Sequence, residues 1–569
     1  MTFSFLPKQS MIKYVIEVKI NVGGRMSNRI IKGTLILTIA GYISRFLGMI
    51  YVIPFNALVG AQGVALYSYA YIPYTVLISL STVGIPPAIS KMVAKYNALE
   101  DYKTGLRVFR ISFFLMIVTG FMAFLALYFS AQPIAEMIIS SKEAQGNTVE
   151  DVTKVIQMVS FALIIIPAMS AVRGFFQGNQ TMVPTAVSQV VEQIVRITFV
   201  LTAGFIIVVL YDGSYATAVS FATFAAFIGA LGSVLVLLKF WQTKKQGFYD
   251  AIEAQQTYYH QSLKGLLYEL FSYAIPFILV GIATPLYQLV DLFTFNRAME
   301  AIGLGSIAEL SFAAIHFNGN KLIVIPVMVA TGMSLTLVPA LTESYTNQRY
   351  DKLAREINLS IQIVLFLVIP AVFGLIALSS EAYGSLFSME DLSVTSALLA
   401  WNAPLALFLA LFTVSSAILQ GINEQRFAVF SLFVGFIVKL TLNSFLIHTF
   451  GAKGSIFATG LAVGAATFVN LWRIKHCLQL SFIQTYKRGL FMFIFSGIMY
   501  LGVVAGKGIC SFFLPFDTSR IAATVMLLIG VMLGIVIYFF LTYKSTLLDA
   551  VLGTSAMMEK IRRKFGANR

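Results

Sequence analysis

The feature that most constrains this chain is a succession of apolar runs, each about as long as a bilayer is thick. Crossing the hydrocarbon core as a helix takes about 20 mostly apolar residues. Fourteen such runs are legible, at 33–55, 64–89, 108–130, 155–172, 184–209, 215–238, 270–296, 310–338, 358–378, 393–419, 427–447, 455–472, 490–513 and 521–543. Lipid offers backbone groups no water to bond, so each run is expected to be helical. A barrel would instead show alternating segments of about 10 residues, and none is visible. The 569 residues are 58% apolar and 11% charged, against roughly 45–50% and 25% in soluble domains. A single water-soluble core stops growing near about 250–300 residues, so a soluble enzyme is excluded. So are a disordered chain and a disulfide scaffold, since Cys477 and Cys510 lie in separate apolar regions. The expected fold class is an all-α polytopic membrane protein of about 14 transmembrane helices.

The net charge of +15 could signal nucleic acid, but the bases sit in short segments between apolar runs. That is a topology signal, and no nucleic-acid partner is expected. If the chain starts inside and alternates, 30 of the 40 Lys and Arg fall on the inner side and five on the outer, with five inside or at the ends of runs. A missed helix would swap every later loop, so both termini are expected to be cytoplasmic. Residues 1–25 have no signal-peptide pattern. They read either as a cytoplasmic extension or as a stretch before a true start at Met26.

Three short matches recur in order. Phe55-Asn56-Ala57 resembles Phe295-Asn296-Arg297 at an offset of 240, and Pro87-Ala88-Ile89-Ser90 resembles Pro339-Ala340-Leu341-Thr342 at 252. Gln177-Gly178 with Arg196 resembles Gln420-Gly421 with Lys439 at 243. Together they suggest a duplicated six-helix unit, the parallel-repeat plan of some secondary transporters. The expected division is a cytoplasmic segment 1–32, an N-lobe 33–238, a linker 239–269, a C-lobe 270–472, two further helices in 473–543 and a basic cytoplasmic tail 544–569.

A charge at bilayer depth costs on the order of 2.5–3.5 kcal/mol, so each needs a reason. The bases are Arg45, Arg196, Arg297, Lys321 and Lys439; the acids are Glu192 and Asp291. On a common cavity their net positive charge would favour an anionic substrate. Arg45, mid-run and far from either interface, is placed to fork onto phosphate oxygens; the alternative is a structural arginine bonded to carbonyls. Asp291 is the candidate ion-coupling group or the partner of a base on another helix, and Arg297 either meets ligand or snorkels outward. Lys321 follows the polar stretch His316-Phe317-Asn318-Gly319-Asn320, which lines water or protein if it is helical and is otherwise a loop. Glu192 and Arg196 are four apart and are expected to neutralise one another. Lys439, whose equivalent position four residues earlier is Gly435, is left freer for a ligand.

No catalytic constellation, metal-ligand spacing or cofactor motif stands out, and the four histidines (His260, His316, His448, His476) are scattered. The chain is not expected to be an enzyme. The elements Ser44-Arg45-Phe46-Leu47-Gly48 and Arg173-Gly174-Phe175-Phe176-Gln177-Gly178-Asn179-Gln180-Thr181-Met182-Val183-Pro184 resemble the polysaccharide-biosynthesis branch of the multidrug/oligosaccharidyl-lipid/polysaccharide exporter superfamily. The likeness is nearest to Gram-positive lipid II flippases and stage V sporulation protein B. It spans about residues 26–545. It implies a monomer in the bacterial cytoplasmic membrane that moves undecaprenyl-diphosphate-linked sugars by alternating access, with a coupling cation left open. It also implies a diphosphate-binding role for Arg45 beside Ser44, and a lipid-tail groove on the last two helices. One departure is that Tyr51 and Val52 stand where better-known members carry an Arg-Asp pair. The family's second-span arginine has no match either; Arg297 and Lys321 are the candidates to stand in. Alternatives are another prenyl-diphosphate glycan, as in capsule or spore cortex, or a cation-coupled multidrug exporter, which would want acids in its cavity.

Overall fold

A computed structural model describes residues 25–552 apart from 83, 140–145, 257, 259–260, 390 and 513–518. The N-terminal extension and most of the basic tail lie outside the described residues. Helices and the turns that join them account for all regular structure among those residues. Among the described residues, twelve helical stretches are long and apolar enough to cross a membrane: Val52–Ala98, Tyr102–Phe129, Val149–Gly178, Val183–Leu210, Tyr215–Ala254, Gly305–Ser334, Tyr350–Ala377, Leu392–Gly421, Gln425–Phe450, Ala452–Leu478, Ile483–Cys510 and Arg520–Lys544.

The two remaining expected spans are helical but differ in kind, and each opens one of the two expected lobes. Run 33–55 falls on Arg25–Ile50, which ends in the apolar helix Ile39–Ile50. Its helical bonding continues past Tyr51, whose N–H donates to the Leu47 carbonyl at 3.3 Å, and the Phe55 N–H donates to the Tyr51 carbonyl at 3.1 Å. The chain then turns at Gly60, with φ 65° and ψ −174°, a conformation open essentially only to glycine. Run 270–296 breaks at Ile282 into Leu263–Gly281 and Ala283–Ala301. Charges at Lys264 and Glu269 in one piece, and at Asp291, Arg297 and Glu300 in the other, interrupt the apolar surface.

Burial follows the membrane pattern. Large apolar side chains such as Phe114, Met122, Leu235, Phe468, Leu501 and Met532 point outward. Alanine, glycine and serine are frequent in the helix contacts, where small side chains let backbones approach. The repeated motifs pack alike. A side-chain carbon at Gly178 would lie 2.7 Å from Val93 Cβ and 2.9 Å from the Ser90 carbonyl; one at Gly421 would lie 2.8 Å from Leu341 Cβ. Tyr215–Ala254 continues as helix well past residue 238, so the first part of the expected linker is helical, with Trp241 and Phe248 packed on Phe175.

The two halves touch at both ends. At one end Asn318 donates to Asn56 at 3.2 Å, Asn296 to the Tyr69 hydroxyl at 2.9 Å, and the Asn147 N–H to Glu309 at 3.1 Å. At the other, Lys95 and Tyr96 bond Glu269 at 2.7 and 3.1 Å, and Lys91 lies over the Tyr273 ring. Between these closures the halves stand apart and leave a central cavity.

Candidate functional site

The cavity has a volume of about 420 Å³. The first half contributes Ser44, Arg45, Tyr51, Tyr67, Tyr71 and Arg196; the second contributes Gln288, His316, Asn320 and Lys321. The described residues that line it include three bases and no carboxylate.

Local structure explains how these groups reach the space. Arg25–Ile50 packs on Val183–Phe205 at Gly48, where an added carbon would lie 2.9 Å from Gln193 Nε2. That contact sets Ser44 and Arg45 on the cavity wall. Arg45 is exposed and has no hydrogen bond or ion pair among the described residues. The Ser44 hydroxyl is buried and has no partner among the described residues. Lys321 follows a π-helical stretch, Ala313–Gly319, so the polar sequence there is not a loop. A π-bulge widens the helix by one residue per turn and is frequent at functional sites. Here it brings His316, Asn320 and Lys321 to the same space, with Lys321 Nζ 5.4 Å from the Phe317 ring centroid.

Arg196 is the residue that sequence reasoning passed over. It was expected to be neutralised by Glu192, one turn earlier. Instead Glu192 accepts from Arg173 at 2.7 Å, and Arg173 is held by Ser188 at 3.0 Å and Ser233 at 2.9 Å. Arg196 donates to the Tyr67 hydroxyl at 2.7 Å and the Tyr71 hydroxyl at 3.4 Å, and lies 5.4 Å from the Tyr71 ring centroid. These acceptors are neutral, so the guanidinium keeps its charge. The signal available in the sequence was the pair Tyr67 and Tyr71, four apart and on one helix face.

Two other expected ligand groups lie elsewhere. Lys439 is not free. Its side chain is 0% exposed and its ammonium donates to Asp291 at 2.8 Å, the Thr459 hydroxyl at 2.7 Å and the Ser455 carbonyl at 3.1 Å. Asp291 also accepts from the Ser455 hydroxyl at 2.7 Å, with His316 Nε2 3.7 Å away. Burial without a partner would leave the ammonium uncompensated, so the acid on the neighbouring helix takes it. Arg297 is exposed near the end of Ala283–Ala301 and does not line the cavity. It lies six residues beyond Asp291 and therefore on another helix face.

Beside the polar cavity runs an apolar groove of about 440 Å³, lined by residues that include Leu322, Pro326, Phe366, Val503, Leu527 and Tyr538. It lies between the second half and the last two membrane helices. Those helices are pinned there by Lys507 on the buried Glu381 at 2.7 Å and by Arg520 on the Ser385 carbonyl at 2.9 Å.

A family model described as polysaccharide biosynthesis protein matches residues 30–345, and one described as lipid II flippase MurJ matches residues 200–513. The chain is 42% identical over 530 residues to the lipid II flippase MurJ of Bacillus subtilis (strain 168), covering 93% of this chain and 97% of that protein. It is 25% identical over 458 residues to stage V sporulation protein B of the same organism, covering 79% and 83%. A solved structure described as lipid II flippase MurJ in an inward closed conformation matches with a TM-score of 0.62 at 14% identity, over 90% of this chain and 100% of that one, a likeness of fold. With more than half of the chain matched by each family model and such identity along nearly its whole length, this polytopic membrane protein belongs to the lipid II flippase MurJ family.

Proposed function

We propose that the chain translocates an undecaprenyl-diphosphate-linked sugar precursor, lipid II for peptidoglycan synthesis, across the bacterial cytoplasmic membrane by alternating access. The observation that carries this reading is a cavity between the halves whose bases, Arg45, Arg196 and Lys321, face it with no carboxylate among its described lining residues. Three cations that share a small space repel one another, and the arrangement is relieved by an anion. A diphosphate supplies it, with guanidinium groups that can take two phosphate oxygens each. The apolar groove beside the last two helices gives the prenyl tail a path that stays in lipid while the polar head crosses. A cationic drug would find no acid on that wall, which disfavours the exporter alternative.

In this reading the protein acts as a monomer and as a transporter, not an enzyme. The 30:5 division of its bases supports a cytoplasmic position for both termini. Two six-helix lobes rock about the cavity, and an inside-negative potential drives the anionic head outward with about 2.3 kcal/mol per charge per 100 mV. Asp291 is the candidate coupling group, and a proton or cation that reaches it must compete with the Lys439 ammonium.

The test is complementation of a bacterium depleted of its lipid II flippase. Wild-type chain should restore growth, and Arg45→Ala should not, while accumulating in the membrane at wild-type level. Normal growth on Arg45→Ala as sole flippase refutes the diphosphate role. A wild-type chain that rescues a capsule- or spore-glycan flippase mutant but not this strain refutes lipid II as the substrate.

A further inference from the structure

We propose that Arg173 is a positioning residue that keeps the substrate cavity cationic by holding Glu192 away from Arg196. This deepens the reading above and rests on it, since it presumes that Arg196 meets the diphosphate.

Glu192 and Arg196 share a helix, Val183–Phe205, at i and i+4, the spacing at which opposite charges meet without strain. A pair made there would place a carboxylate against the guanidinium and cancel one of the cavity's three bases. Arg173 prevents it from a different helix, Ala162–Gly178. Its Nη2 takes Glu192 Oε2 at 2.7 Å and Ser233 Oγ at 2.9 Å, and its Nε takes Ser188 Oγ at 3.0 Å. The side chains of Arg173 and Glu192 are 13% and 23% exposed, so the pair is shielded from the water that weakens surface ion pairs. Three acceptors fix the guanidinium, and the fixed guanidinium fixes the acid. Arg196 is left to the neutral hydroxyls of Tyr67 and Tyr71, which orient it without removing its charge.

Without Arg173, Glu192 would lie half-buried and unpaired, and the nearest unneutralised base along its helix is Arg196. The acid would then compete with the passenger for that guanidinium. Arg173 touches no substrate in this scheme; it acts by denying the carboxylate to Arg196. It also explains why an acid can sit one turn from the cavity without spoiling its charge.

The experiment is binding of fluorescent lipid II to the full-length protein in nanodiscs, for wild type and for Arg196→Ala, Arg173→Gln, Glu192→Gln and the double variant Arg173→Gln/Glu192→Gln. Arg196→Ala and Arg173→Gln should each weaken binding about tenfold or more, the scale of one charge-assisted contact. Glu192→Gln alone should bind as wild type does. The double variant should regain wild-type affinity, because the competing charge is gone. A merely structural Arg173 predicts no such rescue, and a double variant as weak as Arg173→Gln overturns the proposal. If Arg173→Gln does not fold, the double variant still decides: folded and tight-binding supports the scheme, folded and weak overturns it, and failure to fold as well overturns it, because the defect is then not the freed charge. If Arg196→Ala binds normally, the diphosphate reading of Arg196 fails and this inference with it. If Arg196→Ala is weak and Arg173→Gln is not, only the inference fails.

Discussion

Arg196 and Lys439 match one another in the sequence at an offset of 243 residues and have opposite fates. Arg196 faces the cavity on tyrosine hydroxyls; Lys439 is sealed against Asp291. The difference comes from their neighbours. At the offset of 240 that relates Phe55 to Phe295, Asp291 falls on Tyr51, so a neutral phenol stands in the first half where an acid stands in the second. At the offset of 243, Glu192 falls on Gly435. A side-chain carbon at Gly435 would lie 2.7 Å from the Ala462 carbonyl and would also meet the Tyr287 hydroxyl, so close helix packing excludes an acid there. A base inside a membrane protein thus becomes a ligand group or a structural tie according to the acid delivered from another helix.

The contrast can be broken from the structural side first. Lys439→Met leaves Asp291 buried without its cation and should cost about 3–5 kcal/mol of stability, read as a large fall in melting temperature and in folded yield. Adding Asp291→Leu should recover most of that loss, since replacing a whole buried pair by apolar groups is often neutral. Melting of Lys439→Met at the wild-type temperature would remove the structural half of the comparison.

The transport side is sharpened by moving the second half's acid into the first. Tyr51→Asp places a carboxylate on the cavity wall with Arg196. Lipid II affinity should fall by about tenfold to a hundredfold, one to two charge-assisted contacts, and the salt sensitivity of binding should fall with it. Unchanged affinity would mean that the cavity's net charge does not select its passenger.

The smallest effect is expected at Arg297. Exposed and outside the cavity, it should tolerate Arg297→Ala with stability changed by no more than about 0.5 kcal/mol and with growth as sole flippase unaffected. Loss of growth with intact folding would return Arg297 to the list of ligand groups.

Apolar length was legible along the chain because a bilayer imposes one dimension on every span, and the runs from 64–89 onward fall on long helices with a single exception. Interior charge did not hide a span: Glu192 and Arg196 in 184–209, Lys321 in 310–338 and Lys439 in 427–447 all lie in long apolar helices. An average over about 20 residues absorbs one or two charges, so apolar length locates a span without saying which way its charges face.

Hydropathy and charge alone determined that this chain is a bundle of membrane helices, and they narrowed its chemistry to seven intramembrane charges. Which of those charges face the passenger was decided only by the tertiary structure. Ion pairing inside a bundle is settled across helices: Glu192 left its sequence neighbour for Arg173, and Lys439 found Asp291 148 residues away. Spacing along one helix cannot encode that choice, because the partner's position depends on how the helices pack.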